Sequence, residues 1–163
     1  MLRPSPDTAR QRIVEIIGNS VYHVLGLKES LDDEREALES QDMEALRLAV
    51  DNKGKCVAAL QALEQERREY CVMAGFEDGH AQMEKLAEWC DRDSALQNCW
   101  QHLLDLAVEC NALNLTNGAI IRGRKQQIEA GLAVIRGGDP DSGIYGRSGQ
   151  APSGPSQRTL AEA

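Results

Sequence analysis

Glu77 and His80 stand three residues apart, the Glu-x-x-His spacing with which helical bundles hold two iron ions. Such a centre needs a second pair of this kind and two more glutamates from other helices. This chain carries one copy, flanked by glycines at a helix start. Cys99 and His102 share a helix face, and Cys90 is not far away in sequence. A structural zinc site wants a fourth ligand and usually a Cys-x2-Cys knuckle, which the sequence lacks. These cysteines read better as small apolar residues beside a surface histidine. Gly143, Gly146 and Gly149 are also three apart, but no strand precedes them and no helix start follows closely, so they do not form a phosphate loop. No serine or cysteine has an identifiable base partner, and His23, His80 and His102 are far apart in sequence. No catalytic residue, metal ligand or cofactor is expected, and the chain is not read as an enzyme.

Composition narrows the alternatives. With 163 residues the chain is one domain, or a domain with a tail. Aromatic residues make up 4% and include one Phe, too few for a compact mixed α/β core. Much of the rest is Ala, Leu, Glu, Gln, Arg and Lys, which lose little rotamer freedom in a helix. Acidic residues outnumber basic ones 26 to 18, and no basic block or aromatic platform appears, so nucleic acid is excluded as a partner. No run of about 18 apolar residues exists, so direct membrane insertion is not expected. The stretch Met1–Pro6 has no apolar region of the kind a secretory signal uses. Five scattered cysteines, an odd number, fit reduced thiols in the cytoplasm, the expected location.

The elements follow from periodicity. Ser5-Pro6 has the residue types that open a helix, and Ile13, Ile17, Val21, Val24, Leu31 and Leu38 form one face of a helix of about 30 residues. The apolar phase jumps at Glu39-Ser40-Gln41-Asp42, which predicts a turn between antiparallel helices. A second helix carries Met43, Leu46, Val50, Val57 and Leu60 and gives way near Gly75. A short helix bears Met83, Leu86, Trp89 and Cys90, and Ser94-Ala95-Leu96-Gln97 has capping-box spacing. A last long helix runs from Leu96 to Ile135 and stops at Gly137-Gly138. The expected architecture is therefore all-α: an elongated antiparallel helical bundle or coiled coil of about four helices over residues 1–136, with a flexible C-terminal tail. That tail, residues 137–163, holds six of the 14 glycines and three of the five prolines, and its composition cannot bury enough apolar surface to order alone.

The last helix breaks its own pattern. Its stripe through Leu96, Trp100, Leu103, Ala107 and Cys110 continues onto Asn114, Asn117 and Arg124. Two readings stay open. The asparagines form a polar layer that fixes register inside the bundle. Alternatively, residues from about 113 onward are a marginal helix awaiting a partner, with Ile120, Ile121, Ile128, Leu132 and Ile135 supplying helix-in-groove contacts. Gly118, Gly123 and Gly131 weaken the helix in either case. Ile144-Tyr145 places an aromatic in the tail, suited to a short linear motif.

The order Leu113-Asn-x-x-Asn-Gly-x-Ile-Ile121, a helical run to Ile135, then Ile144-Tyr-Gly-x-x-Gly-Gln150 resembles the FlgN family of flagellar type III export chaperones. The likeness is specific over about residues 95–160 and general before that. It departs at Ala119, where a bulkier residue is usual, and in a tail that lacks a strongly basic end. The resemblance implies a non-catalytic cytoplasmic chaperone that binds hook-associated proteins by their C-terminal segments, prevents their premature assembly and delivers them to the flagellar export gate. By position it assigns cargo binding to Asn114, Asn117, Ile120, Ile121, Arg124, Ile128, Leu132 and Ile135. It assigns docking on the export-gate membrane protein to Ile144 and Tyr145, with the export ATPase complex as a further candidate partner. The alternative is a structural coiled-coil adaptor that dimerises permanently and carries no cargo.

Overall fold

The computed structural model describes residues 3–77 and 81–137. Among them are four helices and no strand: α1 (Pro6–Ser40), α2 (Met43–Met73), α3 (Gln82–Cys90) and α4 (Ala95–Ile135). The all-α expectation and the order of elements hold. The chain divides into two compact units, residues 1–122 and 123–163, and α4 contributes to both.

In the first unit α1 starts as its sequence dictates. The Ser5 hydroxyl accepts the Thr8 N–H at 3.3 Å, and Pro6 takes the first helical position, where no N–H is needed. Its 35 residues extend about 52 Å. The chain then reverses at Gln41, which adopts a left-handed conformation (φ 61°), and Asp42 Oδ1 accepts the N–H groups of Glu44 and Ala45 at 3.0 Å each. The turn expected at 39–42 is present, built without Gly or Pro. Arg12 pairs with Glu66 and Glu34 with Lys53, an opposite sequence order that makes α1 and α2 antiparallel. Gly26 allows their close approach, since a Cβ there would lie 3.3 Å from the Cys56 sulfur.

Two cores hold this unit. In the first, Ile13, Ile16 and Ile17 of α1 meet Cys71 at the end of α2, Met83, Leu86 and Cys90 of α3, and Leu96 at the start of α4. Fully burying side chains such as Ile13 or Leu86 contributes about 1.5–3 kcal/mol each. Arg67 is buried beside this core, its guanidinium forked onto Glu64 with both contacts at 2.9 Å. The same group donates to Gln82 at 3.2 Å and lies 5.1 Å from the Trp100 ring centroid. The second core is thinner: Val24 and Leu31 of α1 with Leu106 and Cys110 of α4. The Cys110 thiol reaches the Val24 carbonyl and the Asn117 amide reaches that of Leu31, so α4 runs parallel to α1 and antiparallel to α2.

The start of α4 differs from the expected capping box. Ser94 has φ 59°, a left-handed residue, and two aspartates satisfy the helix end instead. Asp93 Oδ1 accepts the Ala95 N–H at 3.3 Å and Asp91 Oδ2 the Gln97 N–H at 3.1 Å. Arg10 of α1 holds both carboxylates, with contacts of 3.4 Å to Asp91 and 2.9 Å to Asp93.

Candidate functional site

The stripe expected on α4 holds at Leu96, Trp100, Leu103, Cys110 and Asn117, but its second row runs one residue earlier than its sequence suggests. Leu106, Cys110 and Asn117 are buried and Leu113 and Ile120 half-buried, whereas Ala107 and Asn114 are exposed. The sequence offers adjacent apolar pairs, Leu103-Leu104 and Leu106-Ala107, and spacing alone does not choose between them. Packing chooses the larger member of the second pair, because Leu106 fills space between Val24 and Leu31 that Ala107 would leave empty.

Asn117 is 1% exposed. Its Nδ2 donates to the Leu31 carbonyl at 2.8 Å and to Glu34 Oε2 at 2.9 Å. Glu34 is itself buried, and both its oxygens accept from Lys53 Nζ at 3.0 Å. One carboxylate on α1 thus ties α2 and α4 together. Asn117 Oδ1 is buried without a partner, an uncompensated acceptor inside the contact. Spacing had singled out Asn117 but missed Glu34 and Lys53. Glu34 falls between Leu31 and Leu38 at core spacing, which is the signal that could have found it.

Asn114 lies at the rim of an open groove of about 260 Å³ whose walls are Ala107 and Asn111 of α4 and Val57 and Leu60 of α2. The groove exists because α4 presents small or polar residues where α2 presents branched ones. Ile121, the next residue at heptad spacing after Asn114, is exposed.

The second unit is helical over residues 123–135, and none of its described residues is buried. Arg124 is half-buried. Ile128 (64% exposed), Leu132 and Ile135 (82%) recur at four- and three-residue steps and present one apolar stripe to solvent. Lys125 and Glu129 pair at 3.8 Å one turn apart. The helix closes with Gly137 at φ 75° and its N–H on the Val134 carbonyl. Ile144 and Tyr145 lie outside the described residues, as does the rest of the tail from Gly138.

Among the described residues the candidates for metal and acid–base chemistry form no cluster. Glu77 is exposed and His80 lies outside the described residues. Cys99 and His102 are exposed while Cys90 is buried in the first core. Among the described residues no three His, Cys, Asp or Glu side chains stand close enough to hold a metal ion. Burial pushes the Cys71, Cys90 and Cys110 thiols up, away from reactive thiolate. Among the described residues no helix is long and apolar enough to cross a membrane.

A family model described as FlgN protein matches residues 10–153, from the second turn of α1 past Tyr145. No curated protein and no solved structure matches the chain.

Proposed function

Because the chain belongs to the FlgN family of flagellar export chaperones, we propose that the exposed face of α4 holds the C-terminal segment of a hook-associated protein and keeps it unassembled until export. The observation that carries this reading is the stripe Ile128, Leu132 and Ile135, large apolar side chains left in solvent on one helix face of the second unit. An exposed row of this kind marks a place where another chain binds. Cargo contact falls on this stripe and on the half-buried Arg124 and, in the first unit, on Asn114, Ile121 and the half-buried Ile120. Asn117 serves the same surface from inside, by fixing where α4 sits on α1.

In this reading residues 1–136 are the body that presents the helix, and residues 137–163 carry delivery. Ile144 and Tyr145 dock on the export-gate membrane protein, the export ATPase complex is a second contact, and the work is done in the cytoplasm without catalysis. A helical stretch that buries nothing of its own adds little stability. Cargo and helix then order together, giving an affinity modest for the area covered, as suits a load that must be released.

The test is titration calorimetry of a hook-associated protein's C-terminal segment into the full chain and into Ile128→Asp with Leu132→Asp. Binding to the parent and loss in the variant, with thermal unfolding unchanged, supports the assignment. Equal binding by both overturns it. A chain that is a stable dimer and binds no such segment supports the adaptor reading instead.

A further inference from the structure

A second surface, lined by α1 and α2 of the hairpin, has a chemistry the export reading does not use. Between Lys28 and Lys55 the sequence places nine of its 26 acidic residues and five of its 18 basic ones, so this tip holds four of the chain's eight net negative charges. Much of that charge is unspent. Glu34 is bound to Lys53, Glu44 to Arg47 and Asp51 to Lys55, but among the described residues no ion pair engages Asp33 or Glu36. Those two carboxylates rim a groove of about 220 Å³ whose floor is Ala45, Leu48 and Ala49 of α2. Leu48 is 55% exposed, an apolar side chain standing between carboxylates. The carboxylates do not converge on a point, since no three acidic groups among the described residues could chelate an ion. A metal site would need convergence. A surface read by a helix needs charges spread along its edges and an apolar floor between them.

We propose that this flank of the hairpin docks a cationic amphipathic helix of a partner protein. Charge complementarity selects the occupant. A second copy of this chain would bring another eight negative charges to an already acidic tip, and an anionic lipid surface would be repelled in the same way. A helix with lysines or arginines flanking an apolar stripe meets Asp33 and Glu36 with its charges and Leu48 with its stripe. The net negative field of the tip steers such a helix in from beyond contact range. This inference does not rest on the cargo assignment: it concerns a different face and predicts a partner of opposite charge.

The test uses the full chain and two synthetic amphipathic helices of the same apolar pattern, one of leucine and lysine and one of leucine and glutamate. The lysine helix binds and the glutamate helix does not. Asp33→Asn with Glu36→Gln weakens the lysine helix by roughly three- to tenfold and flattens its salt dependence. Leu48→Ser weakens it about tenfold with an unchanged urea midpoint. Glu84→Gln with Glu88→Gln, the same loss of charge on exposed α3 positions, has no effect. Equal loss from the α3 pair reduces the attraction to net charge and overturns the proposal. So does insensitivity to Leu48→Ser, or binding of the glutamate helix.

Discussion

Asn117 of α4 donates its amide N–H to the Glu34 carboxylate of α1 at 2.9 Å, and both residues are buried. The amide cannot be reversed, because both groups around Nδ2, the Glu34 carboxylate and the Leu31 carbonyl, are acceptors. Beside a second core of only four buried residues, this contact fixes the register of α4 by hydrogen bonding more than by interlocking side chains. The register in turn sets which α4 residues are left in solvent.

Substitutions at 117 should rank by charge rather than by size. Asn117→Asp sets a second carboxylate against Glu34 and should cost about 3–5 kcal/mol, the scale of an uncompensated buried charge. Asn117→Leu removes the unpartnered Oδ1 while Lys53 still neutralises Glu34, and should cost about 1–2 kcal/mol. Urea unfolding of the two variants checks the order. An Asp variant as stable as the Leu variant would mean that α4 is not held here.

The cysteines report the same event without a label being introduced. Cys99 is exposed and should react first with a thiol reagent at neutral pH. Cys71, Cys90 and Cys110 are buried, with thiols pushed up by burial, and should react only on opening. In Asn117→Asp, Cys110 should label faster while Cys71 and Cys90 stay slow, because those two belong to the core around α3. Equal acceleration at all three would show that the two cores open as one.

What the sequence made legible was local. Ser5-Pro6 and the phase jump at 39–42 located the ends of α1 because caps and apolar spacing act within a few residues. The second row of the α4 stripe was not legible, since Leu103-Leu104 and Leu106-Ala107 satisfy two stripes and only the shape of α1 decides. The same holds for Ser94: it has a capping residue's type, but Arg10, more than eighty residues earlier, holds Asp91 and Asp93 where they cap instead. Asn117 was legible as an oddity on a stripe. Its meaning lay in Glu34 and Lys53, which no local pattern connects to it.

Acid should loosen the fold through the paired carboxylates. The hydrogen bond from Arg67 holds the Glu64 carboxyl below its usual range, and Arg47 and Lys55 do the same for Glu44 and Asp51. A carboxyl depressed in the folded state contributes stability above its unfolded pKa of about 4, and that stability is lost as pH falls through the folded value. The urea midpoint should therefore be flat near neutrality and drop below about pH 4. Glu64→Gln should make the drop shallower by about a few tenths of a kcal/mol, since the Glu64 side chain is partly open to solvent. An identical pH slope in the variant would remove Glu64 from the account.

The glycines of the outer helix offer a test of how α4 waits. A Cβ added at Gly123 or Gly131 meets nothing within 4 Å, so alanine fits both positions. Gly123→Ala with Gly131→Ala should raise helix content by circular dichroism and stabilise this stretch by about 0.5–1 kcal/mol per site. If the helix orders with its cargo, the pre-ordered variant should bind the C-terminal segment more tightly and release it more slowly. Higher helicity with unchanged affinity would mean the helix is already formed before cargo arrives.

The proposed cargo contact and folding can be tested separately because Ile121, Ile128 and Leu132 are exposed. Ile121→Asp, Ile128→Asp and Leu132→Asp, singly, each place a charge on a side chain already exposed, so thermal unfolding should move little. Each should nevertheless weaken the cargo segment by about 2–3 kcal/mol, since a carboxylate would have to be desolvated under an apolar partner. Ile120→Asp is the contrast. Ile120 is half-buried, and its substitution should lower both the unfolding midpoint and cargo affinity. Paired melting and calorimetry on the four variants then distinguish a cargo surface from a stripe that merely supports the fold. Three variants that bind normally would place the cargo elsewhere on the chain. Three that lose binding and stability together would make the stripe part of the fold, leaving the groove beside Asn114 as the better place to look.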